Sequence, residues 1–283
     1  MSQVEEILNQ VLKNSIQDGA NISGYDLAGI SLKGVSFVFG VMSEVNLDDS
    51  ELTDINFSEA NLSQATFRNA RIKNVNFGNC NLTEAVFEEA TLVNCSFRNA
   101  NAERAIFSGA TVRDCELRGC NLSYSNFYHA KIQDSDFGFA RMMYAYAKSA
   151  EMEKSKLTGL NARGSDFSFS KLTSVDLRGA NLKYSDFNSC TFKETDLSNA
   201  ILIGCEFKDA FCKKIRMDEV NLEGADLTYA NLEGAHLENA FLLESNLHGT
   251  NLSKANLRNA YLVDSNHTKA NTKGALLENT ILE

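Results

Sequence analysis

The chain has 283 residues, 37 of them acidic and 27 basic, for a formal net charge of −10, a balance that disfavours wrapping nucleic acid through its phosphates. No unbroken apolar run is long enough to span a bilayer as a helix. Glu5 and Glu6 stand where a secretion signal would be basic, and no long apolar stretch follows them, so the expected compartment is the cytoplasm, with no membrane partner.

Along the chain, the first periodic segment is residues 3 to 14. Val4, Ile7, Leu8, Val11 and Leu12 fall at i, i+3, i+4, i+7 and i+8, which predicts an amphipathic helix. Ser2 followed by Glu5 fits a capping box at its start. Residues 1–20 are therefore expected to be a capping helix and lead-in, covering the open end of the next segment.

From residue 21 onward the period is five. Positions ending in 2 or 7 are large and apolar, as in Leu47, Leu52, Phe57, Leu62 and Phe67. Positions two earlier are small or β-branched, as in Ala60, Ala65, Ala70, Val75 and Cys80. From Ile22 to Leu282 no insertion breaks the register. An α-helix would place i and i+5 about 140° apart, and a strand would send every fifth residue to the opposite face. The pattern can be buried only if the chain turns a corner about every five residues, with each large residue pointing to a common axis. Phe57, Phe77 and Phe97 lie twenty apart, as do Phe67, Phe87, Phe107 and Phe127. A coil of four sides would put stacked phenylalanines on two opposite faces.

The segments A-N-L-S-Q, A-T-F-R-N, A-N-L-E-G, A-D-L-T-Y and A-N-L-R-N closely resemble the pentapeptide-repeat family, written A-(D/N)-L-x-x. The resemblance implies an all-β solenoid, a right-handed quadrilateral β-helix of four repeats per coil, over residues 21–283. At a strand spacing of about 4.8 Å, about thirteen coils would extend on the order of 60 Å.

Residues 139–163 weaken the pattern, with Ala147 and Ala162 at large positions and Leu160 at a small one. This segment is either a distorted coil or a contact patch. Tyr124, Tyr128, Phe139, Arg141, Tyr144, Tyr146 and Lys148 form the candidate patch, since exposed aromatics interleaved with Arg and Lys suit a protein interface. Tyr124 and Tyr144, twenty apart, are expected to stack. A candidate acidic face comprises Glu44, Asp48, Asp49, Glu51, Asp54 and Glu59, in a stretch without Lys or Arg. A second acidic stretch runs from Met217 to Ser253.

The seven cysteines sit on repeat positions without C-x-x-C spacing and read as small hydrophobes, and the four histidines are scattered. Asn and Asp recur before each large residue, as at Asn56 and Asn61, so neighbouring carboxylates read as products of the repeat; replacing such a surface Asn is expected to cost little. No nucleophile elbow, phosphate loop or metal-ligand motif occurs, and neither catalysis nor a cofactor is expected.

At the carboxyl end the pattern continues to Leu282, which is expected to leave Leu262, Leu277 and Leu282 uncovered and to favour a homodimer through the last coils. The resemblance agrees, because quinolone-resistance members of the family dimerise through this end. Two functions are expected: a scaffold or regulator that binds a protein partner, or, as the resemblance to Qnr-type proteins implies, a DNA mimic directed at DNA gyrase or topoisomerase IV. A duplex of about 60 Å carries around 35 negative charges, well above this chain's net 10.

Overall fold

The computed structural model describes residues 17–282, so the helix expected over residues 3 to 14 lies outside the described residues. Two compact units divide the chain, with the boundary between Arg141 and Met142. That boundary falls inside the segment where the repeat weakens.

Each unit is a parallel β-helix, as the five-residue period and its resemblance imply. In the first, strands β1 (Ser31–Lys33), β2 (Glu51–Thr53), β3 (Arg71–Lys73), β4 (Thr91–Val93), β5 (Thr111–Arg113) and β6 (Lys131–Gln133) pair in parallel, each residue opposite the one twenty later, as Leu52 is opposite Ile72. In the second, β7 (Glu151–Glu153), β8 (Lys171–Thr173) and β9 (Thr191–Lys193) do the same. The other three sides of these coils consist of single bridges between turns, again at a separation of twenty, as in Asn56 with Asn76 and Asn181 with Ile201, and beyond β9 the fourth side does too, as in Phe211 with Asn231.

One repeat accounts for the geometry. The N–H of Asn56 donates to Val35 O at 3.0 Å, that of Phe57 to Asn76 O at 2.8 Å, that of Glu59 to Gly78 O at 3.0 Å, and that of Ala60 back to Phe57 O at 2.9 Å. These bonds tie the coil to its neighbours on both sides and close the turn. The remaining N–H, on Ser58, donates to Asn56 Oδ1 at 3.1 Å. Asn or Asp before the large residue thus satisfies the one backbone donor that no carbonyl reaches, an Asx turn that recurs along both units, as at Asn81, Asp166 and Asn231, but not at Asn161, whose Oδ1 has no partner among the described residues. Among the described residues, none of the nine three-residue strands begins with Asn or Asp.

The same side chains also join coils. Asn61 accepts from Ser63 N at 3.2 Å and from Asn81 Nδ2 at 3.0 Å, and Asn101 accepts from Asn121 Nδ2 at 2.9 Å. Asn61, expected to cost little when replaced, thus holds both a turn and a ladder bond.

The core is the expected one. Phe37, Phe57, Phe77 and Phe97 stack at 4.8–5.5 Å between ring centroids, and Phe67, Phe87, Phe107 and Phe127 at 4.7–4.9 Å. The two columns meet edge to face across the axis, Phe77 with Phe87 at 5.8 Å. In the second unit Phe167, Phe187 and Phe207 form a shorter column. Hydroxyls at small positions donate to turn carbonyls, as Ser165 Oγ does to Met142 O at 2.6 Å and Ser170 Oγ to Ala147 O at 2.8 Å, whereas the buried Ser265 Oγ has no partner among the described residues. Ala147, Leu160 and Ala162 are all buried, and the turns on either side of them keep the repeat pattern.

Candidate interaction surface

Away from the last coils, only corners and outward side chains reach solvent, so recognition by the body of each unit lives there. The corner residue, two after the large one, adopts the left-handed backbone region. That region suits Gly, Asn and Asp, and is an outlier for a bulky side chain. Seven aromatics occupy it nevertheless: Phe39, Tyr124, Phe139, Tyr144, Phe169, Tyr184 and Tyr229, all with φ between 56° and 62°. All are exposed, Tyr144 least at 49%. The left-handed backbone recurs at corners that carry Gln64, Arg104 and Lys214 as well, so what sets these seven positions apart is the exposed ring that each presents.

Four of the seven lie beneath a cation from the preceding coil. In the first unit the Arg104 guanidinium is 5.6 Å from the Tyr124 ring and that of Arg118 is 5.4 Å from Phe139. In the second, Lys148 Nζ is 5.1 Å from Phe169 and the Arg163 guanidinium 5.3 Å from Tyr184. Three rings also lean over the corner glycine of the next coil: a Cβ on Gly164 would stand 2.7 Å from the Tyr144 ring, one on Gly204 2.8 Å from Tyr184, and one on Gly249 2.5 Å from Tyr229.

The unit boundary divides the patch expected from the sequence, and each part stands with its own unit. On the first, Tyr124 and Phe139 are corner aromatics, the Tyr128 ring lies 4.1 Å from that of His129, and Arg141 is exposed beside Asn121. On the second, Tyr144 is a corner aromatic, Tyr146 is bridged to Asp166, and Lys148 covers Phe169. Phe39, Phe169, Tyr184 and Tyr229 were legible by the same rule, an aromatic at a position ending in 4 or 9, but fall outside the segment that the weakened repeat marks.

The acidic residues do not form one face. Glu44, Asp49, Asp54 and Glu59 occupy four successive corners of a single coil, all in the left-handed region, so they encircle it. Asp48 pairs with Arg68 at 3.3 Å and Glu51 with Arg71 at 3.0 Å, one coil on. A five-residue period sends consecutive corners to different sides, which is why a contiguous acidic stretch cannot be a contiguous acidic face. In the second unit a column of Asp166, Asp186, Glu206 and Asp226 does stack in register. Burial first, then the charges of Asp166 and Glu206, push the Asp186 carboxyl up, while Lys208 answers Asp226 at 3.4 Å.

At the last coils Leu277 and Leu282 are exposed, whereas Leu262 is buried and not uncovered as expected, because the turn ending at Leu282 lies over it; Leu262 N donates to Ile281 O at 2.7 Å. These leucines line an apolar hollow of about 260 Å³ with Leu252, Leu257 and His267. All seven cysteines are buried free thiols. Burial pushes Cys80, Cys120, Cys190 and Cys205 up to about 12. Among the described residues no group of three or more His, Cys, Asp or Glu is placed to hold a metal ion.

Comparison with family models places residues 50–127 and 110–187 in "Pentapeptide repeat region", and overlapping stretches from 170–209 to 245–283 in "Pentapeptide repeats (8 copies)". Among curated proteins none matches. Similar solved structures include HetL, a pentapeptide repeat protein involved in heterocyst differentiation regulation in the cyanobacterium Nostoc sp. strain PCC 7120, at 22% identity over 100% of this chain and 97% of that one, TM-score 0.25. Full-length QnrB1, a plasmid-mediated fluoroquinolone resistance protein, is 18% identical over 66% of this chain and 84% of that one, TM-score 0.28. Rfr23 from the cyanobacterium Cyanothece 51142 is 32% identical over 47% of this chain and 91% of that one, TM-score 0.19. At such TM-scores these likenesses carry no argument, and the family rests on the two models.

Proposed function

We propose that this chain, which belongs to the pentapeptide-repeat family, is a non-catalytic, cytoplasmic scaffold or regulator that binds a protein partner through its corner aromatics. The observation that carries this reading is the set of exposed aromatic rings held in left-handed backbone and covered by Arg or Lys. Aromatic and Arg side chains are the residues that concentrate binding energy at protein interfaces. A net charge of −10 argues against a nucleic-acid partner. The test is partner capture by the full chain with Phe169→Ser and Tyr184→Asn: the reading requires capture to fall while the circular dichroism spectrum stays unchanged, and undiminished capture removes it.

The exposed Leu277 and Leu282, over the hollow below them, favour a homodimer through the last coils. Light scattering at tens of micromolar should then give twice 31.2 kDa, and Leu277→Lys with Leu282→Lys should halve it; a monomeric wild type ends this reading. Action on DNA gyrase or topoisomerase IV as a DNA mimic draws less support, because the acids of residues 44–59 encircle their coil and two are paired with arginines. A supercoiling assay with purified gyrase decides that alternative, which requires inhibition or quinolone protection at micromolar protein.

A further inference from the structure

The second unit has one outward face whose chemistry departs from its repeat. The column before the large residue carries Asn161, Asn181, a single apolar Ile201 and Asn221, and then three apolar residues in succession, Phe241, Tyr261 and Ile281, bridged in register. Phe241 is 44% exposed, Tyr261 38% and Ile281 40%. The Phe241 and Tyr261 rings stack at 5.2 Å with 7° between planes. On the other side of the same rungs stand Leu243 and Val263, half-buried. Five apolar side chains therefore share one surface where a soluble repeat normally places amides, and contiguous apolar surface of this kind marks a site of association.

Charge identifies the occupant. The rungs 219–224, 239–244 and 259–264 contain no Lys or Arg, and they carry Glu219, Glu223, Glu244 and Asp264, all exposed. None of these four lies in an ion pair among the described residues. An apolar strip with an uncompensated acidic rim repels a copy of itself and an anionic lipid surface alike, and complements an apolar stripe flanked by cations. An α-helix laid across the rungs returns its stripe every 5.4 Å, against a rung spacing of about 4.8 Å. Across three rungs the mismatch is about 1 Å, so three successive turns can each seat one residue on Phe241, Tyr261 and Ile281.

We infer that this face docks an amphipathic helix of a partner protein whose apolar stripe is flanked by Lys or Arg. The surface is separate from the corner aromatics and stands or falls without them.

The test uses the full chain and two fluorescent synthetic peptides of about eighteen residues, sharing a leucine stripe at i, i+3, i+4 and i+7 and flanked by Lys in one and by Glu in the other. Fluorescence anisotropy should show the Lys-flanked peptide binding and the Glu-flanked one not. Phe241→Asn with Tyr261→Asn should weaken binding at least tenfold. Because the same column holds Asn at residues 181 and 221, this variant should keep the wild-type melting temperature. Tyr184→Asn should leave peptide binding unchanged, which separates this surface from the corner one. The inference is overturned by equal binding of the two peptides, by no binding of the Lys-flanked peptide at tens of micromolar, or by unchanged affinity of the Phe241 and Tyr261 variant. Conversion of a dimer to a monomer by that variant overturns it as well, since the occupant would then be a second copy of the chain.

Discussion

Each residue of the repeat answers one demand of the turn, and the corner residue shows where that demand is overridden. Gly204 has φ of 64°, and a Cβ there would meet the Tyr184 ring at 2.8 Å. Gly204→Ala should therefore cost about 1–2 kcal/mol from backbone conformation with ring displacement added, and Tyr184→Ala in the same chain should recover the second part. A double-mutant cycle in urea measures that coupling, and additive effects would show that the ring does not rest on the glycine. Asn61→Ala removes an Asx turn and one rung of the ladder, so it should cost about 1 kcal/mol, the ordinary net worth of such bonds at a half-buried site. The sequence displays Asn61 as a repeated letter, but the backbone donor it satisfies becomes visible only when the carbonyls of both neighbouring coils have been assigned.

At the scale of the coil, stability is a sum over stacked neighbours. Phe87 stacks on Phe67 at 4.7 Å and on Phe107 at 4.9 Å, and meets Phe77 and Phe97 edge-on at 5.8 Å. Phe87→Ala should cost about 3–5 kcal/mol, and Phe87→Asp should open the surrounding coils, because nothing in the column can compensate a buried carboxylate. Hydrogen exchange would locate the damage within a few rungs of residue 87, whereas uniform loss of protection would contradict a nearest-neighbour solenoid. Period and core were legible here because apolar burial admits only one geometry for a five-residue repeat. The acidic face was not legible, because Glu44, Asp49, Asp54 and Glu59 are close in sequence while each corner turns the next to a different side. The Phe241 column was hidden for the opposite reason, its members being twenty residues apart, so a search along the chain sees isolated substitutions.

For the whole molecule, the buried thiols set a pH limit. Cys80, Cys120, Cys190 and Cys205 have pKa values raised to about 12 by burial, against about 8.5 in an unfolded chain. Their neutral form is favoured in the fold, so their contribution is complete below the unfolded value and is lost as pH rises toward 12. Urea midpoints should fall progressively above about pH 9, and serine at these four positions should flatten that slope. The native thiols should also resist alkylation at pH 8. The proposed binding, the central claim, rests on side chains whose net contribution to the stability of the fold is small. One variant tests this directly: Phe169→Ser with Tyr184→Asn and Tyr229→Asn, melted and assayed for partner capture in parallel. At Phe169 and Tyr184, relief of left-handed strain and loss of the cation–π contact, each about 1 kcal/mol, nearly cancel, while at Tyr229 the relief is set against the edge contact with His248. The account predicts a melting temperature within a few degrees of wild type together with lost capture; a clearly lower melting temperature with capture intact would contradict it, and would make the corner aromatics part of the scaffold instead of its working surface.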